Sequence, residues 1–141
     1  MTKTLRERLA APFPVGSVRW RQQGKAYSGR VQVLPYLTAR AVMNRLDLVV
    51  GVEGWRDSYR PGPDGGVLCR LELRIDGEWI GKEDVADKTQ IEGTKGGNSD
   101  AFKRAAVKFG VGRYLYGTPT YWVGTQQQKP DTGGIRVQLG K

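Results

Sequence analysis

Between Val67 and Ile75 the chain alternates with a period of two: Val67, Cys69, Leu71, Leu73 and Ile75 are apolar, and Arg70, Glu72 and Arg74 lie between them. Successive side chains of a strand point to opposite faces, so this pattern predicts a β-strand with one face in a core and the other in water. Asp76-Gly77 follows at once. That pair suits a two-residue type I′ turn, which predicts that Glu78 to Val85 returns antiparallel. Upstream, Trp55, Asp57 and Tyr59 alternate with Arg56, Ser58 and Arg60 before a turn at Pro61-Gly62-Pro63-Asp64-Gly65-Gly66. A three-stranded antiparallel meander is the expected centre of the fold.

Helices are expected around it. Thr4-Leu5-Arg6-Glu7 reads as a capping box opening a short helix that Pro12 and Pro14 end. Thr38 caps a second helix whose apolar positions Val42, Leu46 and Val49 repeat at i, i+4 and i+7, with Gly51 as its stop. Asn98 or Ser99 caps a third, running through Phe109 to Gly110, with Phe102, Ala105, Ala106 and Phe109 as its buried stripe. Val18 to Gln22 and Arg30 to Leu34 look like two short strands joined through Gly24 to Gly29. The expected class is α+β, with the meander at the centre and the helices around it. Residues 1–123 are expected to form one domain. Residues 124–141 are expected to be a flexible tail, although Ile135, Val137 and Leu139 alternate as a late edge strand would.

A chain of 141 residues suits one core. Its 23 Lys and Arg against 14 Asp and Glu give a net charge of +9 with no histidine, which favours a polyanionic partner. The absence of histidine removes the Ser-His and Cys-His routes to an activated nucleophile. The lone Cys69 forms no internal disulfide and has no partner for a zinc site, which fits a reducing compartment. Gly24-Lys25 and Gly81-Lys82 lack the remainder of a phosphate-binding loop, so no ATP and no cofactor are expected. Thr4 to Ala11 mixes charges with leucines, and no apolar run approaches a membrane span, so a cytoplasmic protein without a membrane partner is expected.

Lys103, Arg104, Lys108 and Arg113 fall within a short stretch beside Tyr114 and Tyr116. Phosphate-directed charge next to stacking surface is what single-strand binders use. The plainer alternative is a solvated helix face with the tyrosines in the core. Arg40 and Arg45, with Arg56 and Arg60, offer a second basic surface, and salt bridges explain such residues equally well. Arg70 and Arg74 share a strand face on which Glu72 can neutralise both. Lys95 sits in a glycine-containing segment from Lys88 to Gly97 that suits either a loop closing over a backbone or a plain connector. Glu72, Asp76, Glu78, Glu83, Asp84 and Asp87 raise a metal-dependent nuclease as an alternative. Adjacent Glu83 and Asp84 point to opposite strand faces, however, and cannot share one ion without a bulge. A nucleic-acid coat without annealing activity is the third class left open.

The runs YLTARAVMNRLDLVVGVEGW from Tyr36, GKEDVAD from Gly81 and SDAFKRAAVKFGVGRYLYG from Ser99 resemble the Rad52 family of single-strand annealing proteins, in its short bacterial and phage branch of DdrA type. The resemblance covers about residues 4 to 122. It implies a β-β-β-α core, the antiparallel meander packed on a long helix, that assembles side by side into a closed homo-oligomeric ring. Single-stranded DNA would run in a positive groove, phosphates in its depth and bases outward, for ATP-independent annealing and end protection in DNA repair or phage recombination. The family's paired Lys-Arg maps onto Lys103 and Arg104. An early arginine of the second helix falls on Ala41 beside Arg40, a later basic residue of the long helix falls on Val107 beside Lys108, and one before the Asp-Gly turn falls on Ile75 beside Arg74. These offsets bear most on a second site for duplex DNA. The implied protein is not an enzyme, and the recombinase-binding tail of longer members is not expected here.

Overall fold

A capping box opens the first helix as the sequence predicts. Thr4 N–H donates to Glu7 Oε1 at 2.9 Å and Glu7 N–H donates to Thr4 Oγ1 at 3.1 Å, starting α1 (Leu5–Ala10). The computed structural model describes residues 2–87, 96–117 and 121–124. Its further elements are β1 (Arg19–Tyr27), β2 (Arg30–Tyr36), α2 (Ala39–Val50), β3 (Trp55–Pro61), β4 (Val67–Ile75), β5 (Glu78–Ala86), α3 (Gly97–Val107) and β6 (Tyr121–Gly124). They form two antiparallel three-stranded sheets among the described residues, ordered β1-β2-β6 and β3-β4-β5.

The meander is as expected. Asp76 and Gly77 adopt φ of 53° and 82°, the left-handed pair of a type I′ turn, and β4 pairs with β5 from Val67↔Ala86 to Ile75↔Glu78. Cys69, Leu71 and Leu73 are fully buried on the inner face of β4. Against them lies the stripe of α3, which comprises Ala101, Phe102, Ala105 and Ala106; Phe109, expected in that stripe, lies beyond the helix's last residue, Val107, and is only partly buried. Trp55 joins three elements: its ring meets Phe102 at 5.7 Å and its indole N–H donates to Asp47 Oδ1 at 2.7 Å. The α+β class and the meander-plus-helix arrangement therefore hold.

The third helix starts earlier than expected, at Gly97, and neither Asn98 nor Ser99 caps it. Asp100 N–H already bonds to Gly96 O at 2.9 Å, so the first turn closes through the backbone alone. Its end has the anticipated glycine: Gly110 at φ 101° stands where Gly110 N–H bonds Val107 O and Val111 N–H bonds Ala106 O, a Schellman closure. Thr38 caps α2, its Oγ1 accepting from Ala41 N–H at 3.1 Å, and Gly51 ends it at φ 87°.

The amino-terminal hairpin exceeds its sequence reading. Its strands run on to a tight turn at Ser28 and Gly29, and the earlier glycine, Gly24, lies within an irregularity between Gln23 and Tyr27. The aromatic segment near residue 120 also supplies a strand that sequence reading did not assign, because β6 has only four residues. It pairs antiparallel with β2 from Arg30↔Gly124 to Val33↔Tyr121, making β2 a central strand. Beyond Gly124, the expected flexible tail and its alternating Ile135, Val137 and Leu139 lie outside the described residues. Among the described residues no helix is long and apolar enough to cross a membrane.

Candidate nucleic-acid interface

Burial of Ala101, Phe102, Ala105 and Ala106 against the meander fixes the rotation of α3 and leaves Lys103 and Arg104 at the border of its buried face. Across from them runs the β1-β2 hairpin. Between lies an open cleft of about 730 Å³ whose lining includes Arg21, Leu34, Tyr36, Lys103, Arg104 and Tyr116. The Lys103 ammonium lies over the Tyr36 ring, 5.6 Å from its centroid, and the Arg21 guanidinium lies over the same ring at 5.6 Å. Both distances are within cation–π range, so one tyrosine ring holds two cations at the cleft wall.

Arg104 is placed differently. Its Nε is buried, lies 3.8 Å from Asp84 Oδ1 and has no hydrogen-bond partner among the described residues. That carboxylate oxygen already accepts from Val85 N–H at 2.7 Å. Asp84 therefore anchors Arg104 to the sheet at a distance too long for a hydrogen bond, while the side chain remains 36% exposed on the cleft.

The other expected cations have different surroundings. Lys108 Nζ donates to Glu83 O, and Arg113 donates from Nε to Val107 O and from Nη2 to Lys108 O, both at 3.0 Å. Arg113 and Lys82, which donates to Lys108 O at 3.1 Å, complement the negative end of the α3 dipole, Lys108 ties that end to β5, and none of the three lines the cleft. Arg45 donates to the carbonyls of Arg8, Leu9, Ala11 and Pro12, the closest at 2.7 Å, and its guanidinium sits 3.9 Å over the Phe13 ring. It closes the end of α1, where the capping-box helix runs out before Pro12. Tyr114 serves the same arm, its hydroxyl accepting Phe13 N–H at 3.0 Å. Arg40 is exposed on the first turn of α2, outside the cleft. Arg74 is exposed on the outward face of the meander, 5.8 Å over Trp79. Lys95 lies outside the described residues.

On that outward face three arginines share two glutamates. Arg56 and Arg70 meet Glu72 at 2.6 and 3.2 Å, and Arg70 and Arg60 meet Glu83 at 3.3 and 3.2 Å. The hydrogen bond from Arg56 is foremost in holding the Glu72 carboxyl below its ordinary range. The Arg70 guanidinium lies across Gly81, so that a Cβ at this position would require the end of the Arg70 side chain to shift. Asp84 faces the other way, toward α3, as strand alternation requires. Among the described residues no three metal-ligating side chains converge. Burial pushes the Cys69 thiol up to about 11, so it stays protonated near neutrality.

Sequence reading missed Arg21. A signal was available: from Arg8 to Leu46 the chain carries no aspartate or glutamate, whereas Arg19, Arg21, Lys25 and Arg30 all fall there. A basic run without local carboxylates has only backbone, aromatic rings or an external anion to interact with.

The profile of the Rad52/22 family of double-strand break repair proteins matches residues 1–63 and 65–133. A single-stranded DNA-binding protein DdrA from Deinococcus deserti is 35% identical over 128 residues, covering 89% of this chain and 63% of that protein. Its counterpart from Deinococcus radiodurans is 34% identical over 121 residues, covering 84% of this chain and 57% of the relative. The chain thus spans about three-fifths of the length of these curated relatives. With a meander, a following helix and a basic cleft between that helix and the hairpin, the chain belongs to the Rad52/22 family.

Proposed function

We propose that this protein binds single-stranded DNA in the cleft between α3 and the hairpin and promotes annealing of complementary strands without ATP, protecting DNA ends in repair or recombination. The observation that carries this is the pair of cations, Arg21 and Lys103, held over the one ring of Tyr36 with Arg104 beside them. The Tyr36 ring keeps the Arg21 and Lys103 cations on the cleft wall, where the phosphates of a bound strand would lie in this reading. A strand gripped by its phosphates keeps its base edges free to test a complement. That requires binding and no chemical step, so the protein acts as a non-enzymatic binder in this reading. That the two DdrA relatives are single-stranded DNA-binding proteins supports the choice of ligand.

Lys103, Arg104 and Arg21 are the assigned phosphate contacts. Lys108 and Arg113 shape the end of α3 and support the cleft from behind. The outward face of the meander, with exposed Arg74 beside Trp79, is assigned to a second contact with duplex DNA. The outer edges of β3 and β5 have no partner strand among the described residues, and side-by-side pairing into a closed homo-oligomeric ring removes both edges. The assignment of the protein to the cytoplasm follows from a DNA ligand.

Mixing two complementary labelled oligonucleotides with the protein tests the reading: pairing accelerated without ATP supports it, and slowed pairing makes the protein a coat. Loss of substrate that depends on Mg²⁺ and stops with EDTA would instead make it a nuclease. The oligomer's mass, measured with and without poly-deoxythymidine, tests the ring.

A further inference from the structure

The cleft does not end the basic surface. Residues directly opposite in neighbouring strands share a sheet face, and faces alternate along each strand. The pairings Arg19↔Tyr36, Arg21↔Leu34, Gln23↔Gln32↔Trp122 and Tyr27↔Arg30 therefore put Arg19, Arg21, Tyr27, Arg30, Tyr36 and Trp122 on one face of the β1-β2-β6 sheet. The opposite face is mostly covered: it holds Val31 and Val33, both fully buried, and Tyr121, which is edge-on to Trp20 at 5.6 Å and stays 39% exposed. On the open face Trp122 is 44% and Tyr27 71% exposed, and Arg19, Arg21 and Arg30 are exposed. All three strands of this sheet lack Asp and Glu.

We propose that the strand bound in the cleft continues along this face, with Trp122 and Tyr27 as stacking platforms for its bases and Arg30 as a further phosphate contact. This inference rests on the reading of the cleft as a single-strand site and extends it. Three observations select the ligand. The face is continuous with the cleft through Arg21 and Tyr36, which belong to both. Its charge is uniformly positive, which selects a polyanion. Its exposed aromatic rings can stack only on bases that are not already stacked in a duplex, which selects a single strand over a double one. From Tyr36 to Arg30 the track adds about 20 Å at the rise of an extended strand.

Contacts in the cleft address phosphate and those on the sheet face address bases, so removing the bases separates the two. The experiment compares affinity for an oligo-deoxythymidine and for an abasic strand of equal length, using wild type, Trp122→Thr, Trp122→Phe, and Lys103→Ala with Arg104→Ala. Stacking on an aromatic ring is worth roughly five- to a hundred-fold per base. Wild type is expected to prefer the thymidine strand by a factor in that range. Trp122→Thr, which keeps a strand-forming residue in β6, is expected to lose most of that preference without weakening abasic binding, and Trp122→Phe to retain it. The Lys103 and Arg104 double variant is expected to weaken both strands alike. Equal wild-type affinity for the two strands, an unchanged preference in Trp122→Thr, or equal losses in the Thr and Phe variants would overturn the proposal. If the double variant binds both strands normally, the reading of the cleft fails instead.

Discussion

The two three-stranded sheets of this molecule are both rich in arginine and use it in opposite ways. On the outward face of β3-β4-β5, Arg56, Arg60 and Arg70 are held by Glu72 and Glu83 at 2.6 to 3.4 Å, so most of their charge is neutralised within the sheet. The strands of β1-β2-β6 carry no carboxylate of their own, and Arg21 rests on an aromatic ring. A count of basic residues treats the two surfaces as equals. Their acceptors separate them: an arginine already paired must exchange one carboxylate for a phosphate, while one on a ring gains a phosphate outright.

The largest expected effect comes from the cleft. Lys103→Ala with Arg104→Ala should weaken single-strand binding on the order of a hundred-fold or more, since each charge-assisted contact contributes about 1.5–3 kcal/mol. The oligomer should remain intact, and fluorescence anisotropy with a mass measurement checks both. Normal binding by this variant would erase the contrast between the sheets.

Arg45→Ala should act on folding. Leaving the carbonyls at the end of α1 without their donor should destabilise the protein by about 1–3 kcal/mol, read by denaturant unfolding, with DNA affinity of the folded fraction unchanged. A selective loss of binding would return Arg45 to the interface. Tyr36→Leu should cost several-fold in affinity by releasing Arg21 and Lys103, and Tyr36→Phe should cost almost nothing, because a cation on an exposed ring contributes about 0.5–1 kcal/mol.

Smaller still is the effect expected from the ladder. Arg60→Gln should change single-strand affinity by less than about twofold, as for other surface groups away from a site. A larger loss would show that paired arginines also reach DNA. The smallest is with pH. With no histidine in the chain and Cys69 pushed up to about 11, affinity should stay level from about pH 6 to 8. Stability should respond at lower pH. The Glu72 carboxyl is held below 4.5 in the folded state, so its contribution is present above that value and is lost as pH falls through the lowered folded value. Acid titration monitored by circular dichroism checks the sign.

The meander, the three helices and Gly110 were legible because each is written locally, in strand alternation, a capping residue or a turn pair. Lys103 and Arg104 were legible for the same reason: the apolar stripe of α3 fixes where they stand. What sequence could not give was the pairing of β6 with β2, a contact between segments about ninety residues apart made by four residues that carry no periodic signal of their own. The partners of Arg45, Lys108 and Arg113 were hidden too. A basic side chain looks identical in the sequence whether it meets phosphate or a backbone carbonyl of another segment, and only the path of the chain decides.

The central claim is that the cleft holds phosphate by charge, and salt tests it most directly. Affinity for oligo-deoxythymidine should fall linearly with salt concentration on logarithmic axes, with a slope of about −0.7 for each phosphate neutralised. The slope should be shallower in the variant lacking Lys103 and Arg104. An affinity indifferent to salt, or a slope that the double substitution leaves unchanged, would contradict it.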